Sequence, residues 1–292
     1  MSDSNHSTPR RIDGGVTAPA GFRAAGLHCG IKANGKPDLS LIVSDTLAAA
    51  AGVFTTNLAK AAPLYLCEAH LAASGGQARA IITNSGCANA CTGPQGEADA
   101  SEMATLVAAA VGCQVDQVLV ASTGVIGVNL KMDSLRTGVP MAAAALSPNG
   151  GADAAKAIMT TDPFPKDYAV EVQTVAGRFR VGGMAKGSGM IEPRMAPMLG
   201  YLTTDAAVEP ALLSRALTDA TRYTFNAITV DGECSTNDSV FAMASGASGV
   251  HVDDGLYQAL LDGLLAVSKE LALGIVRGGE GATKLLAVTV RN

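Results

Sequence analysis

Gly182-Gly183-Met184-Ala185-Lys186-Gly187-Ser188-Gly189-Met190-Ile191-Glu192-Pro193-Arg194-Met195-Ala196-Pro197-Met198-Leu199 sets one lysine among small residues and runs on into Tyr201-Leu202-Thr203-Thr204-Asp205-Ala206. Behind it, residues 168–174 and 178–181 have the β-rich pattern of a hairpin turning at Val175-Ala176-Gly177. Ahead of it, residues 197–203 read as a further strand. The glycine pairs Gly182-Gly183 and Gly278-Gly279 need mean no more than turns, and no dinucleotide-type glycine fingerprint follows a strand. Read by residue type alone, Lys186 is equally a solvated strand-end charge and a compact binding cation.

Working outward, strands are expected at 39–43, 52–55, 79–83, 118–121 and 283–291, with a loop of small residues over 84–93. Helices are expected at 63–73, 97–111, 133–146, 209–221 and 254–273. Asp133 is the expected cap of the third, and Glu209-Pro210 favours the first turn of the fourth. The alternation has no strict βαβ rhythm, so the expected body is layered, α/β or α+β, with helices covering sheet. Residues 1–15 are polar, without the apolar core of a secretory signal, and are expected to be a disordered lead-in.

The chain has 292 residues, 48% of them hydrophobic, enough for a sizeable core in one large or two modest domains. A net charge of −5 excludes a basic nucleic-acid footprint. The apolar runs are too short to span a membrane. Six cysteines, at 29, 67, 87, 91, 113 and 234, and four scattered histidines lack metal-ligand spacing. They read as reduced, mostly buried thiols of a cytoplasmic protein. Two positions are ambiguous by themselves. Thr123-Gly124 is common chemistry for a strand-ending turn, and Thr160-Thr161 before Asp162-Pro163 suits a side-chain-capped turn. Glu280, after Gly278-Gly279, reads as a solvated loop charge.

Several blocks together resemble the ornithine acetyltransferase (glutamate N-acetyltransferase) family of arginine biosynthesis. They are Val16-Thr17-Ala18-Pro19-Ala20-Gly21-Phe22 with Gly30-Ile31-Lys32, and Ala51-Gly52-Val53-Phe54-Thr55-Thr56-Asn57 with Lys60-Ala61-Ala62-Pro63. Asn84-Ser85-Gly86-Cys87-Ala88-Asn89-Ala90-Cys91-Thr92-Gly93, Ser122-Thr123-Gly124-Val125-Ile126-Gly127 and Ile158-Met159-Thr160-Thr161-Asp162 follow. The glycine-rich stretch around Lys186, Asp231-Gly232-Glu233-Cys234-Ser235-Thr236-Asn237-Asp238 and Glu280-Gly281-Ala282-Thr283-Lys284 complete the series, in the family's order, over about residues 16 to 292.

The resemblance implies a two-lobed α/β body with sheets packed between helices. Residues 16–196 would be the N-terminal, alpha-chain-like region and 197–292 a truncated beta-chain-like region. Family members continue past the point matching Asn292, so the second lobe is expected to be incomplete, with an uncovered edge at its last strand. The implied activity is acetyl transfer from N2-acetyl-L-ornithine to L-glutamate in two displacement steps. No cofactor is required, and some relatives also use acetyl-CoA. Thr123 and Gly124 are implied as the oxyanion pair, Thr160, Lys186 and Glu280 as substrate contacts, and Ala196/Pro197 as the cleavage site. In the family the residue at 197 is a threonine that cuts the chain in front of itself and becomes the N-terminal nucleophile.

Pro197 has no hydroxyl for that attack. Arg194 is a second departure, a large cation where the family has a small or polar residue. Thr203 and Thr204 lie six or seven residues on, about 20 Å of extended chain, too far to substitute. Two readings result. One is an acetyltransferase. The other is a catalytically inactive homologue that binds or interacts, because Pro197 replaces the autoproteolytic nucleophile. An uncut chain is expected to form a homo-oligomer, or to need a partner for the missing lobe.

Overall fold

The computed structural model describes residues 8–192 and 198–290. Its elements in chain order are β1 (Arg10–Ile12), β2 (Phe22–Leu27), β3 (Leu39–Phe54), α1 (Ala62–Ala73), β4 (Gln77–Cys87), α2 (Gly93–Val111), β5 (Val118–Val125), α3 (Met132–Ala144) and α4 (Gly151–Ala157). There follow β6 (Lys166–Thr174), β7 (Gly177–Lys186), β8 (Leu199–Thr204), β9 (Ala207–Val208), α5 (Pro210–Tyr223), β10 (Ser239–Ala244), β11 (His251–Val252) and α6 (Tyr257–Arg277).

Alternation along the middle strands divides the interior. On β10, Val240, Ala242 and Ala244 join one core, while Phe241 and Met243 join another; on β8, Leu202 belongs to the first and Leu199 and Tyr201 to the second. Side chains on successive strand residues point to opposite faces, so a helical layer is needed on each side. Helix α5 supplies one cover with Leu213, Ala216, Leu217 and Ala220, and α6 adds Leu260, Leu264, Val267, Leu271 and Ile275, both at the three-and-four spacing of an apolar helix face. Helices α2, α3 and α4 cover the other face through Met103, Val107, Leu135, Val139 and Ala154.

The main sheet has nine strands in the order β1-β6-β7-β8-β10-β3-β4-β5, with β2 paired to β3; β9 and β11 form a separate two-stranded sheet. Strand β10 runs parallel to β8 and antiparallel to β3, so it closes the middle of the sheet. The segments before and after residues 196/197 therefore share one sheet, with β7 and β8 antiparallel neighbours. Ala196 and Pro197, together with Arg194, lie outside the described residues. No helix among the described residues is long and apolar enough to cross a membrane.

Several expectations need correction. The strands expected at 39–43 and 52–55 are the two ends of one strand, β3, whose register shifts between Val43 and Ala48. The residues between Val43 and Ala48 fall in that irregularity, and the strand continues through it. Strand β4 runs to Cys87, so the loop expected from residue 84 starts later. Helix α3 begins after Lys131 without a side-chain cap, and Asp133 lies in its first turn. Within the lead-in 1–15, Arg10–Ile12 form β1 against β6.

The strand expected at 283–291 is not formed: residues 282–290 carry no regular structure, and Leu286, Val288 and Val290 are exposed. An alternating sequence becomes a strand only when a neighbour takes up its backbone hydrogen bonds, and among the described residues no strand lies beside it. The thiols differ too. Cys67 and Cys87 are buried, but Cys29 and Cys113 are half-buried, and Cys91 and Cys234, on loops, are exposed; all six are free.

Candidate functional site

Thr123 and Gly124 end β5, which runs parallel to β4 with its pairing irregular at Gly86/Cys87. Gly124 has φ +132°, and a Cβ there would lie 2.4 Å from the Gly86 carbonyl carbon and 2.6 Å from the Cys87 nitrogen. Backbone cannot move aside as a side-chain tip can, so both the conformation and the close approach demand glycine. Gly124→Ala is expected to cost about 1–3 kcal/mol through strain and overpacking, read as a fall in melting temperature against wild type.

The turn is braced from behind. Ser122 Oγ donates to Asn84 Oδ1 (2.6 Å), and Asn237 Nδ2 donates to the carbonyls of Ala88 (2.6 Å) and Ser122 (2.9 Å).

Lys186 reaches this turn from the end of β7, where its Nζ donates to Thr123 Oγ1 at 3.2 Å. The bond uses a lone pair of the hydroxyl and leaves its proton for a ligand. Lys186 is only 7% exposed, which removes the solvated strand-end alternative. Burial pushes its pKa down; Lys166 pushes the same way, while Asp162, Asp238 and Glu280 oppose.

Asp162 is the junction of the site. Its Oδ1 accepts from Lys166 Nζ (2.7 Å) and the Gly187 N–H (2.8 Å), and its Oδ2 accepts from the Thr160 N–H (3.0 Å). Burial alone would raise this carboxyl, but the Lys186 and Lys166 charges and these hydrogen bonds outweigh it and hold it below the usual range. The side-chain-capped turn expected at Thr160-Thr161 is not what forms: the Thr161 hydroxyl pairs with Ser188 Oγ (2.7 Å), and the Asp162 carboxylate takes the Thr160 N–H and ties it to the strand end that carries Lys186.

Glu280 sits at the exposed rim. Its N–H donates to the Ser188 carbonyl (2.6 Å), and its carboxylate packs so close to Gly189 that a Cβ there would lie 2.9 Å from the carboxyl carbon. Lys32, quoted only within a motif, is also part of the wall: its Nζ donates to the carbonyls of Pro37 (2.8 Å) and Met159 (2.6 Å). Pro37 is local, but Met159 lies 127 residues on, and that contact is what draws Lys32 into the wall. Thr203 and Thr204 point elsewhere, donating to the Val16 carbonyl (2.8 Å) and the Arg180 carbonyl (2.8 Å) at the far end of β8.

Thr123, Gly124, Thr160, Lys186 and Glu280 all line one cleft of about 930 Å³, and Lys32 lines it with them. Its buried end is cationic at Lys186, and its exposed rim is mixed, with Glu280, Asp231 and Glu233 beside Lys36 and Lys156. The buried lysine suits the carboxylate of an amino acid, and the rim carboxylates offer partners for its amine. Beside the cleft, Asp238 is fully buried; Oδ1 accepts from the Met198 N–H (3.0 Å), and among the described residues no hydrogen bond to Oδ2 is formed. Burial pushes this carboxyl well up.

Solved structures give the class first. The fold is that of the ornithine acetyltransferases: the Mycobacterium tuberculosis ornithine acetyltransferase, solved in complex with ornithine, superposes with a TM-score of 0.58 at 45% identity, over 64% of this chain and 98% of that one. The arginine biosynthesis bifunctional protein ArgJ of Bacillus halodurans gives 0.60 at 37% identity, over 66% and 98%. The chain belongs to the ArgJ family, whose model matches residues 23–292. The arginine biosynthesis bifunctional protein ArgJ of Symbiobacterium thermophilum is 54% identical over 285 residues, 96% of this chain and 70% of that protein.

Proposed function

We propose that the cleft is an acetyl-transfer site that takes N2-acetyl-L-ornithine as donor and L-glutamate as acceptor, within arginine biosynthesis. The observation that carries this reading is the Lys186–Thr123 hydrogen bond. It sets a buried cation, suited to a substrate α-carboxylate, beside a hydroxyl that can donate to an oxyanion. Gly124 is the second member of the oxyanion pair, Thr160 and Glu280 complete the substrate contacts, and Glu280 faces the amine end. Six free thiols fit a reducing cytoplasm, and the uncut chain assembles as a homo-oligomer.

Pro197 favours a second reading, a homologue that binds the same ligands without turning them over, because a prolyl residue offers no hydroxyl to carry the acetyl group. One experiment separates the two. Purified chain is given N-acetylornithine and glutamate, released ornithine is quantified, and the intact mass is recorded before and after. Ornithine release supports transfer. Saturable binding with no release and no acetylated protein supports the binding-only reading. Neither binding nor release overturns both.

Lys186→Met discriminates the role of the cation. Affinity for N-acetylornithine is expected to fall roughly tenfold to a hundredfold, the worth of a charged hydrogen bond. The melting temperature is expected to hold or rise, because a buried, desolvated charge is replaced by an apolar chain of similar length. Calorimetric titration and thermal melts of the same preparation check both.

A further inference from the structure

Two buried lysines share one side of the cleft's wall, Lys186 in its lining and Lys166 behind it. Lys166 is 4% exposed and Lys186 7%, both on the sheet, and a single carboxylate, that of Asp162, is bonded among them. The stem of Lys166 is covered by α6 at Gly274, where a Cβ would lie 3.4 Å from its Cγ and Cδ, so this lysine cannot swing out to water. Asp162 Oδ2 holds the Thr160 N–H while Oδ1 holds Lys166 and the Gly187 N–H. One side chain therefore joins the loop bearing Thr160, the first residue of β6 and the strand end bearing Lys186.

We propose that Asp162 is the positioning residue of this cleft: its buried carboxylate, paired with Lys166 and bonded by the Thr160 and Gly187 N–H groups, locks Thr160 and the strand end bearing Lys186 into one frame for the carboxylate of an amino-acid ligand. The proposal rests on the functional reading above for the identity of that ligand, but not for the frame itself. The groups acting on Lys186 are Asp162 from the loop before β6, Lys166 from β6, Asp238 from the start of β10, Glu280 from the segment after α6, and, through its own coupling, Lys32 from the loop after β2. Asp162 favours the charged form of Lys186 and Lys166 disfavours it. The two substitutions Asp162→Asn and Lys166→Met must then push Lys186 in opposite directions, whereas a purely structural role would disturb it alike in both.

The test is a pH titration of the full chain, following lysine Cε and Nζ resonances by NMR, with Lys186→Met identifying the signal. Asp162→Asn keeps the shape and one of the two acceptor oxygens, a thermal melt checks that the variant is folded, and the Lys186 titration is expected to move to lower pH. In Lys166→Met it is expected to move to higher pH. Binding of N-acetylornithine, measured over the same pH range, is expected to weaken on the alkaline side with the same two displacements. No displacement, or displacement of both variants in one direction, overturns the positioning role whatever binds. Opposite displacements in a chain that does not bind N-acetylornithine leave the positioning role standing and remove the ligand assignment.

Discussion

Asp162→Ala is expected to destabilise the protein by about 3–5 kcal/mol, the cost of removing one partner from a buried ion pair. Lys166 is left without its 2.7 Å counter-charge at a site closed by α6, and Lys186 loses the negative charge that most favours its charged form. The Gly187 and Thr160 N–H groups lose their acceptor as well, and a buried polar group without a partner carries its own penalty. Against a typical domain stability of about 5–15 kcal/mol this is a large fraction. Chemical denaturation gives the number, and a loss below about 1 kcal/mol would contradict the junction role.

The acid limb gives a second readout. The folded carboxyl of Asp162 is held below its ordinary value of 3.8. Its stabilisation is thus present above that pH and lost as pH falls through it toward the depressed folded value. Asp162→Ala is expected to lack that part of the acid destabilisation.

Asp238→Asn is expected to be more stable than wild type at neutral pH and equal to it near pH 3.8 or below. The folded carboxyl is pushed well above 3.8 by burial, with Lys186 and the Ser235 and Met198 hydrogen bonds acting against the shift. Below 3.8 the carboxyl is protonated in both states and contributes no difference. As pH rises, the unfolded chain releases its proton while the folded chain keeps it. Stability then falls by about 1.4 kcal/mol for each pH unit in that window. Asparagine does not titrate and still offers an oxygen to the Met198 N–H. Melting temperatures of both proteins from pH 4 to 8 should diverge steadily, and parallel curves would show that Asp238 is ionised in the folded protein.

Much of the architecture could be read from local pattern. The hairpin around 175–177, α5 with its N-terminal proline and the amphipathic α6 all carry their signal within a dozen residues or so. Strand β10 does not. Ser239–Ala244 is buried on both faces, so it has no polar-apolar alternation to announce it, and it is defined by β8 and β3 on either side. Residues 283–290 show the converse, an alternation that looks like a strand but has no neighbour to complete it.

The candidate site divides in the same way. The motifs around Thr123, Thr160, Lys186 and Glu280 could be picked out one at a time, each beside an ordinary turn or surface reading that was even for Lys186 and favoured for the rest. Their chemistry could not, because it depends on which groups meet and how dry the meeting place is. Lys186 and Thr123 are 63 residues apart in the chain and share a hydrogen bond only because β7 and β5 both end at the cleft. Asp162 became central through contacts with Gly187, 25 residues on, and with Lys166 under α6. Residue order carried the family, many of the element types and the identity of position 197. Burial and the distances between charges, which exist only in the folded chain, set which of these side chains are ionised and which act together.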